Sequence, residues 1–121
     1  MKRIILDTNF LMLFGKFRID LEKELERISF GPYRIFTLSS VVQELNKIAS
    51  SKGEAGKNAK VALKLIESKK IKIIESSGKV DDALLKMADE NTIIATNDIE
   101  LRKKLKTKTI YLRAKKHLAV G

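Results

Sequence analysis

The sequence predicts an α/β domain on a parallel five-stranded sheet in the order 3-2-1-4-5. Short apolar strand signals alternate with segments of helical periodicity along the chain, which implies parallel strands joined by right-handed crossovers. Arg3-Ile4-Ile5-Leu6 and Thr92-Ile93-Ile94-Ala95 are nearly unbroken apolar runs, as strands buried on both faces are. Ile71-Lys72-Ile73-Ile74 mixes lysine with isoleucine and reads as an edge. Placing strands one and four at the centre gives the order. At 121 residues the chain is expected to form one domain, 1–121, with no repeat or internal boundary.

After the first strand, Thr8 is expected to cap a short helix over Phe10-Leu11-Met12-Leu13-Phe14 that ends at Gly15. That apolar run reads as core, or as a homodimer surface where exposed. Asp20 starts a helix with Leu21, Leu25 and Ile28 at helical spacing, ending near Gly31-Pro32. Tyr33 to Leu38 forms strand two. Ser40 and Gln43 have the spacing of a capping box for a helix over Val41 to Ala49. Ser50 to Gly56 reads as a flexible break, followed by a helix from Asn58 to Lys69 and then strand three. Ser76-Ser77-Gly78 turns the chain into a helix from Val80 to Asp89. Strand four, a helix from Asp98 to Leu105, and strand five at Thr109-Ile110-Tyr111-Leu112 complete the pattern.

Composition narrows the chemistry. The chain has no cysteine and one histidine, His117. This excludes disulfides, thiol catalysis and Cys-ligated zinc, and leaves no histidine pair for a zinc site. Phosphate-loop and dinucleotide-binding glycine motifs are absent. Met1 to Leu6 starts like a signal peptide, but Asp7 interrupts the apolar run. No stretch approaches the length of a membrane span, so a soluble, cytoplasmic protein with no membrane partner is expected.

The net charge is +10 and uneven. No acid follows Glu100, whereas Arg102, Lys103, Lys104, Lys106, Lys108, Arg113, Lys115 and Lys116 do, and a second basic stretch runs from Lys57 through Lys72. Such stretches are either solvated faces or the footprint of a nucleic acid.

Against this background, Asp7, Glu44, Asp82 and Asp98 each sit where a strand gives way to a loop or helix. In an open α/β sheet the C-terminal strand ends share one edge, and ligands bind where the strand order reverses, here between strands one and four. Each acid alone has a duller explanation, since Asp98 and Asp82 also suit a helix N-terminus. Together they would repel one another and raise their own pKa values. A hard divalent cation removes that cost and suits hydrolytic phosphoryl transfer.

Asp7-Thr8-Asn9, Glu44-Leu45, Asp82-Ala83-Leu84-Leu85 and Ala95-Thr96-Asn97-Asp98, taken in order, resemble the PIN-domain nucleases. The resemblance implies a three-layer α/β/α fold, a Mg²⁺ or Mn²⁺ site and cleavage of single-stranded or structured RNA. Asp7, Glu44, Asp82 and Asp98 then correspond to the family's catalytic, metal-binding acids. Asp81 is the alternative to Asp82, which is favoured because Ala83-Leu84-Leu85 follows it. Thr8, Asn9 and Thr96 would hydrogen-bond and orient the carboxylates, and Arg102, Lys103, Arg113, Lys115 and Lys116 would contact RNA. The resemblance extends to archaeal PIN proteins related to ribosomal-RNA processing nucleases and to the toxin half of toxin–antitoxin pairs. It thus implies a ribosome-assembly partner or an antitoxin. The rival expectations are a non-catalytic RNA-binding scaffold and a receiver-like phosphoacceptor, and the latter would need paired acids after strand one, where only Asp7 stands.

Overall fold

The computed structural model describes residues 1–28 and 31–121. The elements run β1 (Lys2–Leu6), α1 (Thr8–Lys16), α2 (Leu21–Arg27), β2 (Tyr33–Leu38), α3 (Ser39–Ala49), α4 (Glu54–Ser68), β3 (Lys72–Ile74), α5 (Val80–Met87), β4 (Thr92–Ala95), α6 (Ile99–Lys104), β5 (Thr109–Arg113) and β6 (His117–Val120). The sheet order is β3-β2-β1-β4-β5-β6. The expected order of the first five strands and the α/β class therefore hold, and the strand count is corrected to six. The added β6 pairs antiparallel with β5, matching Ile110 to Val120 and Arg113 to His117.

Ile4, Ile5, Leu6, Ile94 and Ala95 are all 0% exposed, because β1 and β4 lie inside the sheet with helices over both faces. Helices α1, α3 and α4 pack against one another. The chain moves outward from β1 to β3 and then crosses back to β4, so right-handed crossovers place α5 and α6 on the opposite face. No helix among the described residues is long and apolar enough to cross a membrane.

Local departures from expectation have physical causes. Asp7, not Thr8, caps α1, with its Oδ1 accepting the Thr8 N–H at 2.7 Å. The helix continues through Gly15 to Lys16, and the glycine there answers a close approach instead of ending the helix: a Cβ would lie 2.7 Å from Asn58 Cα and 2.8 Å from its Oδ1. The capping box at Ser40 does not form. Helix α3 starts two residues earlier, at Ser39 after Leu38, and the Ser40 hydroxyl pairs with that of Ser76 at 2.7 Å. The expected break ends at Gly53, whose φ of +93° starts α4, and Gly56 lies inside the helix, where a Cβ would meet Ser51 O at 2.1 Å. Helix α2 ends at Arg27 with Ile28 as its cap; residues 29 and 30, over which the sequence extends it, lie outside the described residues.

Candidate active-site cleft

Parallel strands β1 and β4 end side by side, Leu6 against Ala95, and a cleft of about 310 Å³ opens beyond those ends. It is lined by Asp7, Thr8, Asn9, Glu44, Lys79, Val80, Asp81 and Asp98. A larger groove of about 740 Å³ opens between Phe14–Leu21, Leu65 and Lys69, but Asp20 is its sole acid.

Asp7 is buried with both carboxylate oxygens engaged. Oδ1 accepts the Thr8 amide and Oδ2 accepts the Thr96 hydroxyl at 2.7 Å. Burial pushes its pKa up to about 6. The Thr96 and Thr8 hydrogen bonds pull the other way, and the charges of Asp81 and Glu44 push further up. The Thr96 hydroxyl also accepts the Asp98 N–H at 3.1 Å, so one side chain joins two of the acids. The Thr8 hydroxyl donates to Glu44 Oε1 at 2.6 Å and fixes the direction of that carboxylate from one turn into α3.

Asp98 caps α6, its Oδ1 accepting the N–H groups of Glu100 at 2.9 Å and Leu101 at 3.2 Å. The capping role and a place in the cleft coexist, because only one of its oxygens faces the helix. Helix α5 begins at Val80, whose side chain is buried, and turns Asp81 into the cleft wall. Asp82, one residue on, is exposed as Asp81 is, but is not among the lining residues. The Asp81 carboxyl is raised, first by desolvation at the wall and then by Asp98, while Lys104 lowers it and Glu44 and Asp82 raise it.

The cleft is therefore acidic and self-repelling, though tempered by cations. Lys79 on its rim and Lys104 near Asp81 were not among the side chains expected there; their signal in the sequence was a lysine one residue before a helix and one at another helix's last turn. Among the described residues no three acids are drawn together tightly enough to hold an ion as the side chains lie, with Glu44 turned onto Thr8 and Asp7 onto Thr96.

The expected RNA-contacting residues divide. Arg102 is half-buried and engaged within the protein, its guanidinium 3.8 Å from the centre of the Tyr111 ring and its Nε donating to Thr109. Lys103, Arg113, Lys115 and Lys116 are exposed. The last three belong to the β5–β6 hairpin. Thr109 and Ile110 of β5 pair with Ile94 and Ala95, so Tyr111–Arg113 run past the end of β4, on the cleft side of the sheet. Asn97 bridges that extension, accepting the Leu112 N–H at 2.7 Å and donating to its carbonyl at 3.1 Å.

A family model described as a PIN like domain matches residues 4–115. Ribonuclease VapC4 of Methanocaldococcus jannaschii is 35% identical over 127 residues, spanning 99% of this chain and 97% of that protein. Among solved structures, the PIN domain endonuclease Utp24 superposes with a TM-score of 0.78 at 20% identity, over 98% of this chain and 90% of that one. A domain of a functionally unknown protein from M. jannaschii superposes with a TM-score of 0.61 at 24% identity, over 94% and 93% of the two chains. At those identities the structural likenesses speak for the fold alone.

Proposed function

The chain belongs to the PIN-like domain family, and from that membership we propose that it is a metal-dependent endoribonuclease hydrolysing phosphodiester bonds of single-stranded RNA. The observation that carries the reading is the cleft at the β1–β4 strand ends, with Asp7, Glu44, Asp81 and Asp98 in its wall. We take Asp81 rather than Asp82 as the third acid.

The donor set consists of carboxylate oxygens, which suits hard divalent cations such as Mg²⁺ or Mn²⁺. Desolvation raises both Asp7 and Asp81; Asp81 and Glu44 raise Asp7 further, and Asp98 and Glu44 raise Asp81 further, an electrostatic cost that a cation would offset. When bound there, a divalent cation supplies Lewis-acid stabilisation of the charge that develops on a phosphodiester and lowers the pKa of an attacking water.

The chain's own residues supply position. Thr8 and Thr96 hold Asp7 by both oxygens, and Thr8 also holds Glu44. With Asp98 Oδ1 committed to helix α6, Oδ2 takes no hydrogen bond among the described residues and is the oxygen left for the cleft. Asn9 and Lys79 line the opening, where the lysine can meet a substrate phosphate. Arg113, Lys115 and Lys116 on the hairpin add positive charge at the same end of the sheet, which draws a polyanion toward otherwise repulsive acids.

Of the possible cellular roles, that of a toxin held by an antitoxin has the support of the relative named ribonuclease VapC4. Incubation with a single-stranded RNA and Mn²⁺ tests the activity. Cleavage is expected with the unaltered protein, and none with Asp7→Asn or in EDTA. Tight RNA binding without cleavage under either Mg²⁺ or Mn²⁺ would instead make the domain a scaffold.

A further inference from the structure

We propose that a second RNA site lies at the opposite end of the sheet from the cleft, in a basic groove along the free half of the β2 edge, where it grips the phosphate backbone of single-stranded RNA. The nature of the ligand rests on the ribonuclease reading; the site rests on its own geometry.

Strand β1 pairs with β2 from Tyr33 to Thr37, but β3 pairs only with Phe36–Leu38. Tyr33–Ile35 therefore has a neighbouring strand on one side alone. Beside this open edge lies a groove of about 550 Å³, walled by Tyr33, Arg34, Ile35, Lys69, Lys70 and Lys72, with Glu22 as its one acid. Glu22 is already answered by Lys69 at 3.0 Å. Arg34, Lys70 and Lys72 are exposed and take part in no ion pair among the described residues. A strand edge without a neighbour, set among cations, is a concavity suited to anions, and an aromatic wall adds a surface for base stacking.

Lys70 carries the argument further. It terminates α4 in the left-handed region, with φ of +51°. The Ile71 N–H returns to Ile66 O at 3.0 Å and the Lys70 N–H to Glu67 O at 3.2 Å. These bonds make a Schellman ending, whose left-handed position glycine fills without steric cost and other L-residues fill at about 1 kcal/mol or more. The lysine at this position carries that cost and sets its side chain in the wall of the groove. Edge lysines also discourage strand pairing, but Lys72 within β3 meets that need and does not require a strained Lys70.

Tyr33 lies level with Lys2 at the start of β1, while Asp7 follows its last residue. At about 3.3 Å per residue the groove and the cleft stand roughly 16 Å apart along the strands. An RNA held in both must be long, so the groove favours extended substrates over short ones.

Binding of a thirty-nucleotide oligouridylate to the Asp7→Asn protein, measured across a salt series, tests the proposal. Each phosphate that the protein no longer neutralises should flatten the salt slope by about 0.7 for a single strand. Arg34→Ala with Lys72→Ala is expected to flatten it by about 1.4. Lys70→Gly should flatten it by about 0.7 while raising the melting temperature, which separates weakened binding from a failure to fold. Lys47→Ala with Lys52→Ala makes the same change in net charge and should leave the slope unaltered. Introduced into the unaltered cleft, the groove substitutions should leave cleavage of a diuridylate, which is too short to bridge the two sites, within about twofold. Slopes equal to that of the control pair, or diuridylate cleavage falling in step with long-RNA binding, would overturn the site. Failure of the ribonuclease reading would appear separately, as no cleavage of either RNA by the unaltered protein.

Discussion

Asp7 is 4% exposed, and its carboxyl titrates at about 6 instead of the ordinary 3.8. A rise of about two units at roughly 1.4 kcal/mol per unit makes ionising this group about 3 kcal/mol harder in the folded protein than in the unfolded chain. The folded state holds the proton more tightly, so this group's effect is to lower stability as pH rises from 3.8 through about 6. Above that window the penalty is complete; below it there is none. Asparagine has the same shape and no charge. Its oxygen can still accept the Thr8 N–H, and its amide can donate to the Thr96 hydroxyl oxygen once that hydroxyl turns. Asp7→Asn is therefore expected to abolish cleavage and to stabilise the fold. In EDTA the gain should be about 3 kcal/mol at pH 7.5 and about 1 kcal/mol at pH 4.5. Urea denaturation at a series of pH values reads both numbers. Adding Mn²⁺ should narrow the gap at pH 7.5, because a cation that binds only the native carboxylate stabilises the unaltered protein. A gap that stays constant with pH, or a variant less stable at pH 7.5, would refute the assignment of the strain to Asp7.

Three other outcomes are expected. Asp81→Asn should lower turnover at least roughly 100-fold while Asp82→Asn stays within about threefold, and side-by-side kinetics on one RNA decide which acid serves. Thr8→Val keeps the backbone hydrogen bond to Asp7 but removes the donor to Glu44; activity should fall roughly 10- to 100-fold and stability by about 1 kcal/mol, measured by turnover and melting on the same preparation. Glu24 is buried, and burial alone would raise its carboxyl, yet Arg27, the Leu118 N–H at 2.8 Å and His117 hold it below the ordinary range. Its contribution is thus present at neutral pH and lost as pH falls through that lowered value. Glu24→Ala, which also strands the Leu118 amide, should cost about 1–3 kcal/mol at pH 7 in urea titrations, with Glu24→Gln much closer to the unaltered protein.

What the sequence made legible was set by local pattern. Unbroken apolar runs at Ile4–Leu6 and Thr92–Ala95 revealed the central strands, because burial on both faces leaves no room for polar alternation. The β5–β6 hairpin stayed hidden because its turn breaks the usual turn chemistry. Ala114 and Lys115 stand at φ of 55° and 62°, where Asn-Gly or Asp-Gly is the readable signal. What holds β6 in place is tertiary: the Glu24 carboxylate accepts the Leu118 N–H, and the Arg27 guanidinium donates to the Leu118 carbonyl. Gly56 misled in the opposite direction, since a residue that usually marks a loop is here required by its close approach to Ser51 O inside a helix. Which of Asp81 and Asp82 lines the cleft turns on about 100° of helix rotation, which the start of α5 sets and neighbouring apolar residues do not. Arg102 read as a free cation because the partners that absorb it, Tyr111 and Thr109, become its neighbours only once β5 joins the sheet.

The close approach of Gly15 to Asn58 bears on how this chain can diverge. Surface lysines can be exchanged one at a time, each at small cost. Gly15 cannot, since any side chain there must displace the backbone at Asn58. Helix α1, which begins beside Asp7, and helix α4 are seated against each other at that point. Among descendants of this sequence position 15 should remain glycine wherever this seating of the cleft is kept, long after the surface charges around it have drifted.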